Sequence, residues 1–413
     1  MVTPKKQNPK KLSTYLGFPV SEEDVGREGD GFSKQAKQKG VALIISIMVI
    51  SMMFIFMSDI IVNSAVSTRL ALATRDNIKA EYLNKSGKNL ALLLLTGDLM
   101  FDVMMFQQTQ QKPSDGPGDF WGLFNGIPMG GGSAELLAAS MESFNLNRVN
   151  DSKVIDTLKD FDGQFVLEIT DEQNKININN CSFRKGECLE LIKGLMSCPA
   201  EKEFLSKKKV TAEELAANIR DWIDDGSSVT EGSSFSSESD GYSDRQPSVS
   251  PKNAPFDSLE ELKTVAGWDD DIYKVFSPYF TVFPVRKSKE EIHRINVNSA
   301  SLDMMRCLVP TLTDDCLKNA TLAMKPTADQ DPLEDVAGFR NVSSRLSQLF
   351  CSKDKKLEKN FIYRSDVFRV KVTGEVGDQI RELDMVIQRG LPSQDEMKEG
   401  FAGGYKILHW KML

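Results

Sequence analysis

Between Val41 and Val62 the chain is apolar except for a few small polar residues and one acid, Asp59. Twenty-two helical residues rise about 33 Å, enough for one bilayer crossing. A glycine, Gly40, stands directly before this run, after Lys34, Lys37 and Lys39 and a polar arm of about forty residues. A secretory signal has its small-residue cleavage site after a short apolar segment. Here the order is reversed, so a cut after Gly40 leaves the apolar helix on the mature chain. An ordinary signal anchor can share this arrangement.

Charge agrees with a membrane-anchored, exported body. Residues 1 to 40 carry eight Lys/Arg against five Asp/Glu, and the remainder carries forty-three against fifty-four. The positive-inside rule keeps the arm cytoplasmic and sends the acidic bulk across the membrane. An acidic body repels phosphate backbones, which speaks against a nucleic-acid partner. The 40% hydrophobic content is enough for one or two real cores.

Six cysteines, Cys181, Cys188, Cys198, Cys307, Cys316 and Cys351, follow the apolar run. Outside the cytoplasm an even count reads first as disulfides, with fifteen full pairings open and local staples such as Cys307 with Cys316 among them. There is no CxxC pair, and His293 and His409 stand far apart, which speaks against zinc. No GxSxG, HExxH or Walker A motif is present, which speaks against an enzyme and a small-molecule substrate.

Beyond the apolar run, Val66, Leu70, Ala73, Ala80, Leu83, Leu90 and Leu94 recur at helical spacing, with Arg69, Arg75, Lys79 and Lys88 between them. One helix from Val41 to about Leu95, or an anchor followed by a separate helix, satisfies this pattern. Residues 112 to 133 read as loop, rich in Pro and Gly. Gln164 to Thr170 and Lys175 to Asn179 each alternate apolar and polar residues around the turn chemistry of Asp171-Glu172-Gln173-Asn174, so together they read as a hairpin. Asp366 to Thr373, Ile380 to Arg389 and Gly404 to Trp410 supply three more strands, and the stretch 181–355 between the strand groups is mostly helical. Strands, helices, then strands again predict a helical insertion within an α/β domain.

Inside that stretch, Asp221-Trp222-Ile223-Asp224-Asp225 ends a helix and opens a Ser- and Gly-rich loop, 224–244. Asp224, Asp225, Glu231, Glu238, Asp240 and Asp244 place six carboxylates within it. Calcium takes six to eight oxygens in loose geometry, so such a loop can serve it, although the spacing is not that of an EF-hand. A solvated loop matches the same composition. Two segments echo one another, Val265-Ala266-Gly267-Trp268 and Val336-Ala337-Gly338-Phe339, each between helical patterns like a helix-hairpin-helix unit. Such hairpins offer backbone N–H groups to phosphate. Asp269, Asp270 and Asp271 follow the first and would repel it, so packing is the expected role.

The opening Lys39-Gly40-Val41-Ala42-Leu43 resembles the class III leader of type IV pilins and type II secretion pseudopilins. In order after it come Asp171-Glu172-Gln173 with Ile176-Asn177-Ile178-Asn179, then Asp221-Trp222-Ile223-Asp224, then Asn253-Ala254-Pro255-Phe256. Ser258 to Lys263 with Val265-Ala266-Gly267, Ile295 to Ala300 and Ser365-Asp366-Val367-Phe368 complete the set. This ordered set resembles the minor pseudopilin K family of type II secretion over nearly everything after residue 40. Two departures stand out. The leader is far longer than the family's usual handful of residues, and Ser237-Glu238-Ser239-Asp240 replaces the family's Gly-Ala-Glu-Asp run.

The resemblance implies an α+β fold: a pilin-like domain whose long N-terminal transmembrane helix packs on a small antiparallel sheet, carrying a large inserted all-α domain with helix-hairpin-helix-like units. The divisions are a leader 1–40, a membrane half 41–62, pilin-like parts 63–180 and 356–413, and the insert 181–355. It implies a non-enzymatic subunit at the pseudopilus tip that supports pseudopilus assembly and protein export. Its partners are minor pseudopilins I and J, with H and the major pseudopilin G less directly, and the prepilin peptidase. It also implies calcium beside the acidic loop, held by Asp224, Asp225, Glu238 and Asp240 with a carbonyl at or near Tyr242. In the family's major members a glutamate occupies the fifth position after the cleavage site; here that residue is Ile45, which suits a subunit with no neighbour above it. A membrane-anchored helix-hairpin-helix DNA receptor of the competence type, or a type IV pilus minor pilin, is the alternative.

Processing is open to direct test. A prepilin peptidase is expected to cut between Gly40 and Val41, so N-terminal sequencing of membrane-extracted protein should begin at Val41, N-methylated. Gly40→Val should block the cut, and an intact 413-residue chain in cells with active peptidase would contradict it.

Overall fold

The computed structural model describes residues 34–109, 115–130, 163–182, 185–243, 249–285, 293–309, 360–362, 364–390 and 404–413. Most of the leader, Asp244, Cys316, Cys351 and the second hairpin at 336–339 lie outside them. The molecule divides into two units, Met1–Leu70 and Ala71–Leu413. The first unit holds the one helix among the described residues that is long and apolar enough to cross a membrane. Its side chains are exposed along the whole run, with Leu43 63% and Phe54 77% accessible, as a lipid-facing segment requires.

One continuous helix, α1 (Lys34–Thr109), enters the second unit and settles the choice between one helix and two. Its packed face begins at Ala80 and recurs through Leu83, Gly87, Ala91, Leu94, Leu95, Asp98 and Leu99, the three-and-four spacing of a single stripe. Small residues let the helix approach the sheet closely. A Cβ on Gly87 would stand 2.3 Å from Cγ1 of Val372 and 2.9 Å from the Phe165 ring, and one on Gly374 would meet the Ala80 carbonyl at 2.6 Å.

The sheet opens with β1 (Pro128–Gly130) and β2 (Gln164–Asp171). The chain then leaves it through a short 3-10 turn, Glu172–Asn174, and enters β3 (Ile176–Asn177). The hairpin expected between 164–170 and 175–179 therefore does not form. Asp171 accepts from the Gln173 N–H at 2.7 Å and turns the chain out of the sheet. The polar positions of the second stretch are then consumed elsewhere. Asn179 donates to the carbonyls of Phe256 and Val282 and accepts from the Phe256 N–H, so the alternation reflects buried asparagines rather than a half-buried strand.

The helices α2 (Lys185–Met196), α3 (Pro199–Lys208), α4 (Ala212–Ile223) and α5 (Asp270–Phe276) follow. Then β4 (Phe280–Thr281) pairs in parallel with β3, and β5 (Ile295–Asn296) leads into α6 (Leu302–Leu308). After the segment outside the described residues, β6 (Phe361–Ile362) pairs in parallel with β5. The chain returns to the sheet as β7 (Val367–Val376), β8 (Gln379–Arg389) and β9 (Tyr405–Met412), close to the three strands expected there. The order is β1-β2-β7-β8-β9, antiparallel throughout.

Each lobe has its own core. Leu94 and Leu95 of α1 meet Leu167, Phe368, Val370, Leu383 and Met385 of the sheet, with Trp121 and Phe124 closing one end. The insert buries Trp222, Phe256, Trp268, Phe276 and Phe280 around α4, whose central residues are almost all inaccessible. Two disulfides staple it, Cys181–Cys188 and Cys198–Cys307. The local staple of Cys307 with Cys316 is thus replaced by a link across 109 residues. In the chain-entropy account that loop contributes roughly 4.8 kcal/mol, against roughly 2.3 for the seven-residue one.

Because Val372 and Phe165 leave no space at Gly87, Gly87→Ala should lower the stability of the pilin lobe by about 1–2 kcal/mol, overpacking exceeding the gain in helix propensity. Gly186→Ala in α2, where a Cβ meets nothing within 4 Å, should be neutral or slightly stabilising. Equilibrium denaturation of the two variants separates these outcomes.

Candidate metal site in the acidic loop

Helix α4 is built to end at this site. Thr211 caps its start by accepting from the Glu214 N–H, and its last turn carries Arg220, Asp221 and Asp224, with the Asp224 N–H still bonded to the Arg220 carbonyl. The spacing of three puts Asp221 and Asp224 side by side at the helix end. Segment 237–243 brings Glu238 over them. Carboxylate oxygens of Asp221, Asp224 and Glu238 lie within 4.8 Å of one another.

Charge around the three is only partly balanced. Arg220, buried, donates to Oδ2 of Asp224 at 2.8 Å and to the Cys181 carbonyl at 3.3 Å. Asp221 accepts from the Thr230 N–H at 2.8 Å. Oδ1 of Asp224 and Oε1 of Glu238 are buried and accept no hydrogen bond. Both lie 3.7 Å from where a Cβ on Gly226 would stand, so they face the same small space above that glycine. Burial, reinforced by the charges of Asp224 and Asp221, pushes Glu238 up to about 7, and burial also raises Asp221. Three carboxylates, one guanidinium and two orphaned oxygens around a gap suit a hard cation such as calcium, which needs oxygen ligands and surplus negative charge.

Of the ligands expected from the sequence, Asp224 and Glu238 are brought together. Asp225 is exposed. Asp240 is exposed as well, and its carboxylate accepts from the Ser237 N–H at 2.8 Å and the Ser237 hydroxyl at 2.6 Å, which holds its pKa down. Tyr242 is buried, its ring centroid 5.7 Å from that of Trp222, and its hydroxyl accepts from the Ala266 N–H. Asp221 joins this pair, although in the sequence it reads as an ordinary helix-end acid. Its spacing of three from Asp224 on one helical turn was the available signal.

The first helix-hairpin-helix-like turn has the packing role expected of it. Val265 and Ala266 are buried, Gly267 takes φ +79° against Leu215 and Asn218, and Asn218 donates to the Ala266 carbonyl. Asp269 caps α5 and, with Asp271, pairs with Lys208.

Residues 174–285 match the family model of the type II secretion system (T2SS), protein K. The type II secretion system protein K of Klebsiella pneumoniae is 23% identical over 317 residues, covering 76% of this chain and 80% of the relative. That of Aeromonas hydrophila is 24% identical over 251 residues, covering 59% and 72%. A chain in the crystal structure of the GspK-GspI-GspJ complex from the enterotoxigenic Escherichia coli type 2 secretion system shares the fold with a TM-score of 0.52 at 16% identity, over 83% of this chain and 99% of that one. The family match falls on the insert, and over most of its length the chain is similar to the type II secretion system protein K of these bacteria.

Proposed function

We propose that this chain is the minor pseudopilin at the tip of a type II secretion pseudopilus, a structural and non-enzymatic subunit that supports pseudopilus assembly and protein export. The observation that carries this reading is the helical insert lodged between β2 and β7 of a pilin-type sheet behind one long apolar helix. A filament shaft stacks subunits through such helices, and a bulky insert suits the position with nothing above it. Ile45, in place of a carboxylate at the fifth position after Gly40, is in keeping with that place, since no neighbour's amine needs neutralising there.

Partners follow from the same reading. The related structure is a complex of GspK with GspI and GspJ, and the counterparts of those two subunits are the direct partners of this chain, with pseudopilins H and G further along the filament. Prepilin peptidase removes residues 1–40, and the helix from Val41 holds the protein in the inner membrane with its body in the periplasm. The exposed face of α1, with Tyr82 62%, Leu93 65% and Met100 53% accessible, is the surface offered to a partner helix. Cysteines introduced at Tyr82 and Leu93 should crosslink in cells to counterparts of I and J. Ladders of this chain with itself would refute the tip position.

Asp221, Asp224 and Glu238 would hold calcium when it is bound. The ion would supply the positive charge that Arg220 alone does not, and would tie segment 237–243 to the end of α4. A ligand that binds only the folded state stabilises it by mass action. Millimolar calcium should therefore raise the melting temperature of the intact protein by several degrees. Asp224→Asn and Glu238→Gln should each remove most of that rise, whereas Asp240→Asn should leave it. An unchanged melting temperature in the wild type would count against the site.

A further inference from the structure

A second group of carboxylates lies in the pilin lobe, away from the acidic loop. Asp98 and Asp102 of α1 face Asp115 and Asp119 of the segment that follows it, and Arg389 at the end of β8 sits among them. Oxygens of Asp98, Asp115 and Asp119 lie within 4.8 Å of one another. Arg389 is inaccessible; it donates to Asp98 at 2.7 Å, to Asp115, and to the Ser365 carbonyl at 3.1 Å, with its guanidinium 4.9 Å from the Phe368 ring centre. The guanidinium already occupies the place a cation would take. Asp119 accepts from the Gly116 N–H, and Oδ2 of Asp102 is buried without a hydrogen bond.

Among the described residues, the other groups facing this cluster do not balance it. Arg364 is paired with Asp366 ahead of β7, Tyr405 on β9 bonds to Thr96 and the Leu92 carbonyl, and Asp171 on β2 is buried and adds negative charge. Among the described residues, four carboxylates therefore share one guanidinium, which lies over the Phe368 ring. Like charges this close and this dry cannot all ionise.

We propose that the cluster is a proton-operated latch: protons shared among Asp98, Asp102 and Asp119 hold segment 115–127 against the end of α1, and their loss in an alkaline periplasm releases it. The electrostatics agree. Burial foremost, then the neighbouring carboxylates, push Asp98 up to about 7, Asp102 to about 8 and Asp119 to about 9. These carboxyls bind protons more tightly folded than unfolded. Their contribution is complete at acidic pH and is lost as pH rises through those values. Release would uncover Trp121 and Phe124, now buried over the sheet.

Hydrogen exchange on the full chain in detergent tests this. The reporters are the N–H groups of Asp119, Gly122 and Gly126, bonded to the carbonyls of Gly116, Asp119 and Leu167. Corrected for intrinsic rates, their protection should fall about tenfold or more from pH 6 to pH 10, while that of Leu215 in α4 holds. In a protein carrying both Asp102→Asn and Asp119→Asn, which keep the shape and lose the charge, the fall should shrink below about threefold. Flat protection in the wild type overturns the latch, as does a folded double variant that keeps the wild-type fall. If the double variant does not fold, the wild-type profile decides alone.

Discussion

The pairing of β2 with β7 is the constraint on which the rest of this molecule depends. Gln164 to Asp171 lie in register with Glu375 to Phe368, so the whole insert must leave and re-enter the sheet at one point. That point is closed by buried polar groups. Asp171 accepts from the hydroxyls of Ser365 and Ser299 and from the Asn296 side chain, and the Ser365 N–H donates to Asp115 at 2.8 Å. Gln173 accepts from the N–H groups of Asp366 and Val367. Three of the ordered sequence motifs thus meet at one junction, where the insert is seated on the sheet. Removing one acceptor there would strand several buried donors at once.

The two lobes are stabilised by different means. The pilin lobe relies on close approach of α1 to the sheet, which small residues at Ala80, Gly87 and Ala91 permit. Among the described residues, the insert has no extended sheet and relies on aromatic packing about α4, on two disulfides and on asparagines that bond to distant carbonyls. An oxidising compartment is consistent with those disulfides. In the acidic loop, among the described residues, the carboxylates of Asp221, Asp224 and Glu238 face one another with Arg220 beside them.

Charge is handled by one device at both acidic sites, a buried arginine that neutralises only part of the carboxylate it faces. At the end of α4 the remainder is oxygen left without hydrogen, which a cation can satisfy. At the end of α1 the arginine bridges two aspartates and the remainder is relieved by protons. Geometry separates the two cases. Arg220 lies to one side of its group, whereas Arg389 stands inside its own.

The sequence by itself determined the apolar run, the helical pattern beyond it and the three closing strands, because helical and strand periodicities are local, while the continuity of α1 was decided by the structure. The ordered motifs also pointed to the family that the comparisons match and located the acidic loop. Only the tertiary structure decided the fate of Ile176 to Asn179, whose alternation reads as a strand but where Asn177 bonds to the Pro284 carbonyl and Asn179 to those of Phe256 and Val282, far along the chain. It also chose Cys198 as the partner of Cys307 and gathered Asp221, rather than Asp225 or Asp240, with Asp224 and Glu238. The cluster of Asp98, Asp102, Asp115, Asp119 and Arg389 left no trace in the sequence, since its aspartates read as helix and loop acids and its arginine as a strand terminus. Such groupings depend on which distant segments meet, and nothing in local spacing encodes that.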